Sequence, residues 1–165
     1  MKTKQFVLAL LLGMFAAATG WADEEKVDLD KVPAKVKDAV KKAFKEAEFV
    51  SASKEKEDGK LLYEIRIKVK AQTIEVTCTE DGTVVEVEKE ISAKDLPKAV
   101  AGAIDSKYPK ATIKKAEEVI KGDKTAYEVL IVTADKKTVE IKYDKDGKVL
   151  EMEEKTGKPD GEKDK

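Results

Sequence analysis

The chain has 165 residues, 41% of them charged, with 33 lysines and arginines against 34 aspartates and glutamates, and no histidine. That near balance, with Arg66 as the sole arginine, speaks against nucleic-acid binding, which draws on a basic excess and fork-shaped donors. The missing histidine removes imidazole acid–base catalysis, the usual serine and cysteine triads and the commonest ligand for zinc, copper and nickel, and a lone cysteine, Cys78, excludes an intrachain disulfide.

Residues 1–22 read as a signal peptide. Lys2 and Lys4 precede an apolar run from Phe6 to Ala18, too short to span a bilayer comfortably, and Gly20-Trp21-Ala22 supplies a cleavage site before Asp23. The mature chain is therefore expected to be exported, periplasmic or extracellular, with no stable membrane span once the leader is removed. From Lys31 to about Ala47, the residues Val32, Val36, Ala39-Val40, Ala43-Phe44 and Ala47 recur at three- and four-residue spacing, which predicts an amphipathic helix with Asp30 as cap and Pro33 in its first turn. The period then changes to two: Tyr63, Ile65, Ile67 and Val69 alternate with Glu64, Arg66, Lys68 and Lys70, as in an antiparallel strand packed on one face. Turn signals at Asp58-Gly59, Ala71-Gln72 and Asp81-Gly82 divide this stretch into strands near 49–57, 60–70, 73–79 and 83–90.

The same order then returns about 64 residues later. Leu96-Pro97 answers Val32-Pro33, Tyr127-Glu128-Val129 answers Tyr63-Glu64-Ile65, and Asp146-Gly147 answers Asp81-Gly82. Ser92 or Asp95 is placed to cap a second helix carrying Val100, Ala103-Ile104 and Tyr108, which Pro109 stops. Four strands are expected after it, near 112–121, 125–133, 138–143 and 148–153. The reading is α+β, with two tandem repeats at 29–91 and 92–154, each one helix on a four-stranded antiparallel sheet. Units of this size bury too little to stand alone, so the copies should share a core or a continuous sheet. A charged tail, 155–165, has nothing to bury and is expected to be disordered.

Leu96-Pro97, Tyr108-Pro109, Ile113, Ala116-Glu117, Tyr127-Glu128-Val129, Val139-Glu140 and Asp144-x-Asp146-Gly147-x-Val149-Leu150 together resemble the PepSY-like, beta-lactamase-inhibitor-like (BLIP-like) family of small exported bacterial proteins. The first copy carries the same pattern more weakly and lacks a proline after Phe44. The resemblance implies a two-layer module, a helix on a four-stranded sheet, used in tandem with its second sheet face open. It also implies protein binding, with inhibition of proteolysis as the theme. This chain carries the module without a peptidase domain, so a protease would be a separate partner. Its few aromatics and its lack of disulfides depart from the inhibitors of beta-lactamase proper.

Several residues invite chemical readings. Glu64, Glu75, Glu86 and Glu88, with their matches Glu128, Glu140, Glu151 and Glu153, fall on the side of the strands away from the core, beside Arg66, Lys68 and Lys142, and read as a ladder of solvated cross-strand ion pairs, not as catalytic acids. Asp144-Lys145-Asp146-Gly147 has a cation inside it and reads as a hairpin turn, not a calcium loop. Ser51 and Lys54 match a Ser-x-x-Lys string, but Ser51 lies in a strand whereas the catalytic motif sits on a helix. Cys78 occupies an apolar strand position matching Tyr143 and is expected to be a buried thiol.

One asymmetry points to a contact surface. Where the first copy turns Glu64, Arg66 and Lys68 outward, the second turns Glu128, Leu130 and Val132 outward, and exposed apolar side chains call for a cover from a partner, a second subunit or the chain itself. Glu128, Leu130, Val132, Glu140 and Lys142 are the candidate partner-binding residues. The expected function is non-enzymatic binding through the open sheet face, with no cofactor and with a secreted or envelope protease as partner. The alternative is a structural or sensory envelope module that binds cations weakly through its glutamate rows.

Overall fold

Pro33 and Pro97 decide where the helices begin. In the computed structural model, which describes residues 25–57 and 59–155, both prolines hold an extended ψ near 140° as N-caps, and α1 (Ala34–Ala43) and α2 (Lys98–Lys107) start immediately after them. The helices are thus shorter than their apolar spacing predicts. Asp30 and Asp95 do not cap them: each proline carbonyl accepts the first helical bonds, and Ser92 instead caps a separate 3-10 turn at Ala93–Asp95 by accepting from the Lys94 N–H. A residue preceding proline is pushed out of the α region, so Val32 and Leu96 cannot belong to the first turn. At the other end Phe44 and Tyr108 leave helical geometry and turn back over the apolar clusters.

Nine strands follow the period-two pattern: β1 (Glu25–Val27), β2 (Glu48–Glu57), β3 (Lys60–Val69), β4 (Gln72–Thr79), β5 (Val84–Glu90), β6 (Thr112–Lys121), β7 (Lys124–Val132), β8 (Thr138–Asp144) and β9 (Val149–Lys155). The eight expected strands fall within two residues of these bounds. β1 is additional, its three residues being too few to show a period. β9 takes in Lys155, which the sequence pattern assigned to the tail. Residues 1–22 of the expected leader and 156–165 of the tail lie outside the described residues.

All neighbours pair antiparallel in sequential order, β1 through β9, making one nine-stranded sheet. The joint between the halves is β5 on β6, where Val87 faces Ile120 and Glu88 faces Val119. That register puts both helices on the same side. Val36 and Val40 of α1 pack with Ile65, Ile67, Val76 and Cys78, and Val100 and Ile104 of α2 with Val129, Ile131, Ile141 and Tyr143. The sheet is continuous while the two apolar clusters are distinct. Each buried Val or Ile contributes about 1.5–3 kcal/mol through loss of water contact, and these side chains carry the fold.

Bulges occur at corresponding places in the two halves: Val50 and Lys114 are extra residues in β2 and β6, Val85 and Leu150 in β5 and β9. The turns before β5 and β9 press on the helices. Gly82 (φ +88°) and Gly147 (φ +81°) lie so close to the first turns of α1 and α2 that a Cβ would sit 2.6 Å from the Lys35 carbonyl oxygen and 2.5 Å from that of Ala99. Only glycine tolerates both the left-handed backbone and this approach.

Candidate functional site

With both described helices on one side, the opposite side of the sheet is left, among the described residues, to side chains alone. Cross-strand pairing sets out its rows: Arg66, Glu75, Glu88 and Val119 follow one another across β3 to β6, and Glu90, Glu117, Glu128 and Lys142 across β5 to β8. Directly opposite residues on neighbouring strands have Cβ atoms about 4.5–5.5 Å apart, so charges in such a row interact strongly.

Most of the carboxylates hold a cation. Arg66 donates to Glu75 Oε1 through Nε at 2.8 Å and Nη2 at 2.5 Å, and Lys115 Nζ lies 2.9 Å from Glu117 Oε1. Lys142 pairs with Glu128 at 3.1 Å, Lys121 with Glu86 at 3.3 Å and Lys155 with Glu140 at 3.3 Å. The ion-pair ladder expected from the sequence is present, but its solvation is not. Glu75 is only 8% exposed and Glu117 only 5%, and Val119 beside them is 3% exposed although no helix covers it. Side chains on interior strands have neighbours on both flanks, and long Glu, Lys and Arg chains cover one another's stems.

This crowding moves proton affinities. Burial, reinforced by the charges of Glu117, Glu128, Glu86 and Glu75, pushes the Glu88 carboxyl up to about 8. Burial also raises Glu117 above the usual carboxylate range despite its bond to Lys115, and raises Glu140, with Glu128 adding to the effect. For Lys115 and Lys142, burial acts to lower the ammonium, yet Glu117 and Glu128 outweigh it and both are raised.

The candidate partner-binding residues come together here. Glu128 opposes Lys142, Leu130 opposes Glu140, and Val132 opposes Thr138, so β7 and β8 place all five on one patch of the open face. Leu130 and Val132 are half-buried among these neighbours. Lys115, Glu117, Val119 and the unusual state of Glu88 were not singled out from the sequence. The available signal was parity: once Ala116 is assigned to the core, Glu117 and Val119 must face the other way.

The remaining motifs resolve into structure. Ser51 opposes Arg66 on the open face while Lys54 opposes Tyr63 on the helix side, so the two never meet. Asp144 Oδ1 accepts the N–H groups of Asp146 and Lys148, both at 2.9 Å, which uses it as a turn-forming group. Cys78 is fully buried, and that burial pushes its thiol up to about 11. Among the described residues, no group of three or more acidic or thiol side chains is arranged to hold a metal ion. An open hollow of about 750 Å³ lies between Phe44, Val69, Gln72 and Ile91, with Glu90 also lining it.

The family model described as "Putative beta-lactamase-inhibitor-like, PepSY-like" matches this chain twice, over residues 14–86 and 63–151. The chain belongs to that family. Among solved structures, this PepSY-like chain is similar to a BLIP-like protein from Bacteroides fragilis, with a TM-score of 0.60 and 20% identity over 79% of this chain and 92% of that one. It is similar to a "putative periplasmic" protein from Bacteroides eggerthii, with a TM-score of 0.65 and 16% identity over 74% of this chain and 88% of that one. A DUF2874 family protein from Bacteroides uniformis gives a TM-score of 0.63 and 16% identity over the same shares, 74% and 88%. At such identities the likeness establishes the fold. No curated protein matches the chain. No described helix is long and apolar enough to cross a membrane.

Proposed function

We propose that this PepSY-like chain is an exported, non-enzymatic binding module that acts through its open sheet face on a secreted or envelope protease. On this reading the halves are two copies of one helix-and-four-strand unit, joined at β5 and β6 into a broad platform. Export is supported by the leader-like residues 1–22 and by a fold shared with a protein described as periplasmic. The observation that carries the binding reading is Leu130 with Val132 on a face that no described helix covers, framed by the Glu128–Lys142 pair and by Glu140. Apolar side chains inside a polar frame are the usual anatomy of a protein contact. The mechanism is steric occupancy of a substrate cleft, with the surrounding charges setting register and excluding wrong partners more than adding affinity.

The test is capture of envelope proteins on the immobilised mature chain, followed by assay of each retained protease with and without the chain. Leu130→Asp with Val132→Asp should abolish both retention and inhibition while the circular dichroism spectrum is kept. Retention unaffected by that pair of changes in a folded protein would remove this face from consideration.

A further inference from the structure

The joint between the two halves carries a carboxyl, Glu88, for which no ion pair forms among the described residues. Glu88 of β5 faces Glu75 of β4 on one flank and Val119 of β6 on the other, with Glu86 and Glu90 to either side along its own strand. Diagonally across the joint stands Glu117, itself opposite Glu128 of β7. The cations that reach this region each hold another carboxylate. Arg66 of β3 holds Glu75, Lys115 holds Glu117, Lys142 of β8 holds Glu128, and Lys121 holds Glu86. Lys89, next in sequence, belongs to the helix side and pairs with Glu118. Glu64, farther along β3, adds another carboxylate to the same face.

Glu88 therefore meets buried Val119 and four carboxylates, and among the described residues no cation pairs with it: Lys115 and Lys142 act on it only from a distance while they hold Glu117 and Glu128. A carboxyl so placed lowers its energy by keeping its proton, since like charges at cross-strand distance repel and an apolar neighbour cannot solvate an anion. We propose that Glu88 is a proton-operated lock on the β5–β6 joint: protonated, it lets the acidic face close over Val119 and holds the halves as one sheet; ionised, it repels Glu75, Glu117 and Glu128 and loosens the joint. The upward displacement of its proton affinity to about 8 agrees with this arrangement.

The direction of the effect follows from linkage. A carboxyl whose affinity for the proton is higher in the folded than in the unfolded chain stabilises the fold fully below about 4.5, and that contribution is lost as pH rises through about 8. Glu117 and Glu140 are displaced the same way and add a slope of the same sign. The lock stands independently of any partner, because it concerns only how the two halves hold together.

The experiment uses the whole mature chain. Carboxyl-carbon NMR of wild type should show Glu88 titrating near 8. Urea midpoints should fall from about pH 5 to about pH 9, and Glu88→Gln should lose most of that fall, whereas Glu57→Gln, at the exposed end of β2, should keep it. Amide exchange at the joint in β5 and β6, corrected for intrinsic rates, should speed up by about tenfold or more over the same range in wild type and not in Glu88→Gln. Titration of Glu88 in the ordinary carboxylate range, or an unchanged pH profile in Glu88→Gln, would overturn the proposal. Should Glu88→Gln fail to fold, the wild-type NMR titration and exchange still decide the matter.

Discussion

Replacing Gly147 by alanine adds one methyl group where there is no room for it. The residue holds φ +81°, a left-handed conformation that costs an L side chain about 1–2 kcal/mol. The new Cβ would also lie 2.5 Å from the Ala99 carbonyl oxygen and 2.8 Å from its carbon, both backbone atoms in the first turn of α2, so the helix itself must move. Overpacking of this kind costs about 1–3 kcal/mol, giving a total of about 2–5 kcal/mol, a large share of the 5–15 kcal/mol typical of a domain. Two other glycines separate the contributions. Gly122 (φ +62°) has nothing within 4 Å of its would-be Cβ, so Gly122→Ala isolates the backbone cost at about 1 kcal/mol. Gly102 lies inside α2 with the same free space, and Gly102→Ala should stabilise by about 0.5–1 kcal/mol. Urea unfolding followed by circular dichroism should rank the three in that order, with Gly147→Ala lowering the midpoint by about 1–2 M. If Gly147→Ala costs no more than Gly122→Ala, the turn does not press on the helix as described.

Tyr143→Phe should leave stability unchanged or raise it by about 1 kcal/mol in thermal melts, because the Tyr143 hydroxyl is buried without a hydrogen-bond partner among the described residues. Lys115→Met removes the cation held by Glu117, a carboxylate only 5% exposed, and should cost about 1–3 kcal/mol near pH 8. Glu117 already binds its proton more tightly than an ordinary glutamate, so the loss should shrink as pH falls and that carboxyl protonates; a cost independent of pH would contradict the pairing. Cys78, fully buried and with its thiol pushed up to about 11, should react with thiol reagents only after unfolding in urea, and rapid labelling of the native protein would show that α1 does not cover it.

Much of the fold was legible because period two is a strong signal when a strand alternates cleanly, as Tyr63 to Val69 does, and because most turns are marked by glycine or aspartate. The helices were overestimated since apolar spacing continues through Val32 and Ala47, whereas Pro33, by a local steric effect, delays the start of α1 and Phe44 leaves helical geometry at its end. β1 left no trace, because three residues gain their structure from β2 and not from their own pattern. The open patch around Leu130 and Val132 was legible by parity alone. The burial of Glu75 and Glu117 was not: alternation tells which face a side chain occupies, but not how many strands flank it. Once β5 pairs with β6, positions that resemble a wet sheet surface become the middle of a wide one, and a solvated glutamate row turns into a crowded one.

Sequential strand order has a kinetic consequence. Apart from β1 on β2 and β5 on β6, every neighbouring pair in the sheet is joined by a short turn, so most strand pairings form within hairpins. The β5–β6 pairing must instead close over Ile91–Ala111, a segment that includes α2. Loop closure of that length is slower than hairpin zipping, so each half should organise locally and the two should merge last. In stopped-flow refolding, substitutions on β5 and β6 that weaken their pairing should mainly accelerate unfolding, while those in the β3–β4 and β7–β8 hairpins should slow folding.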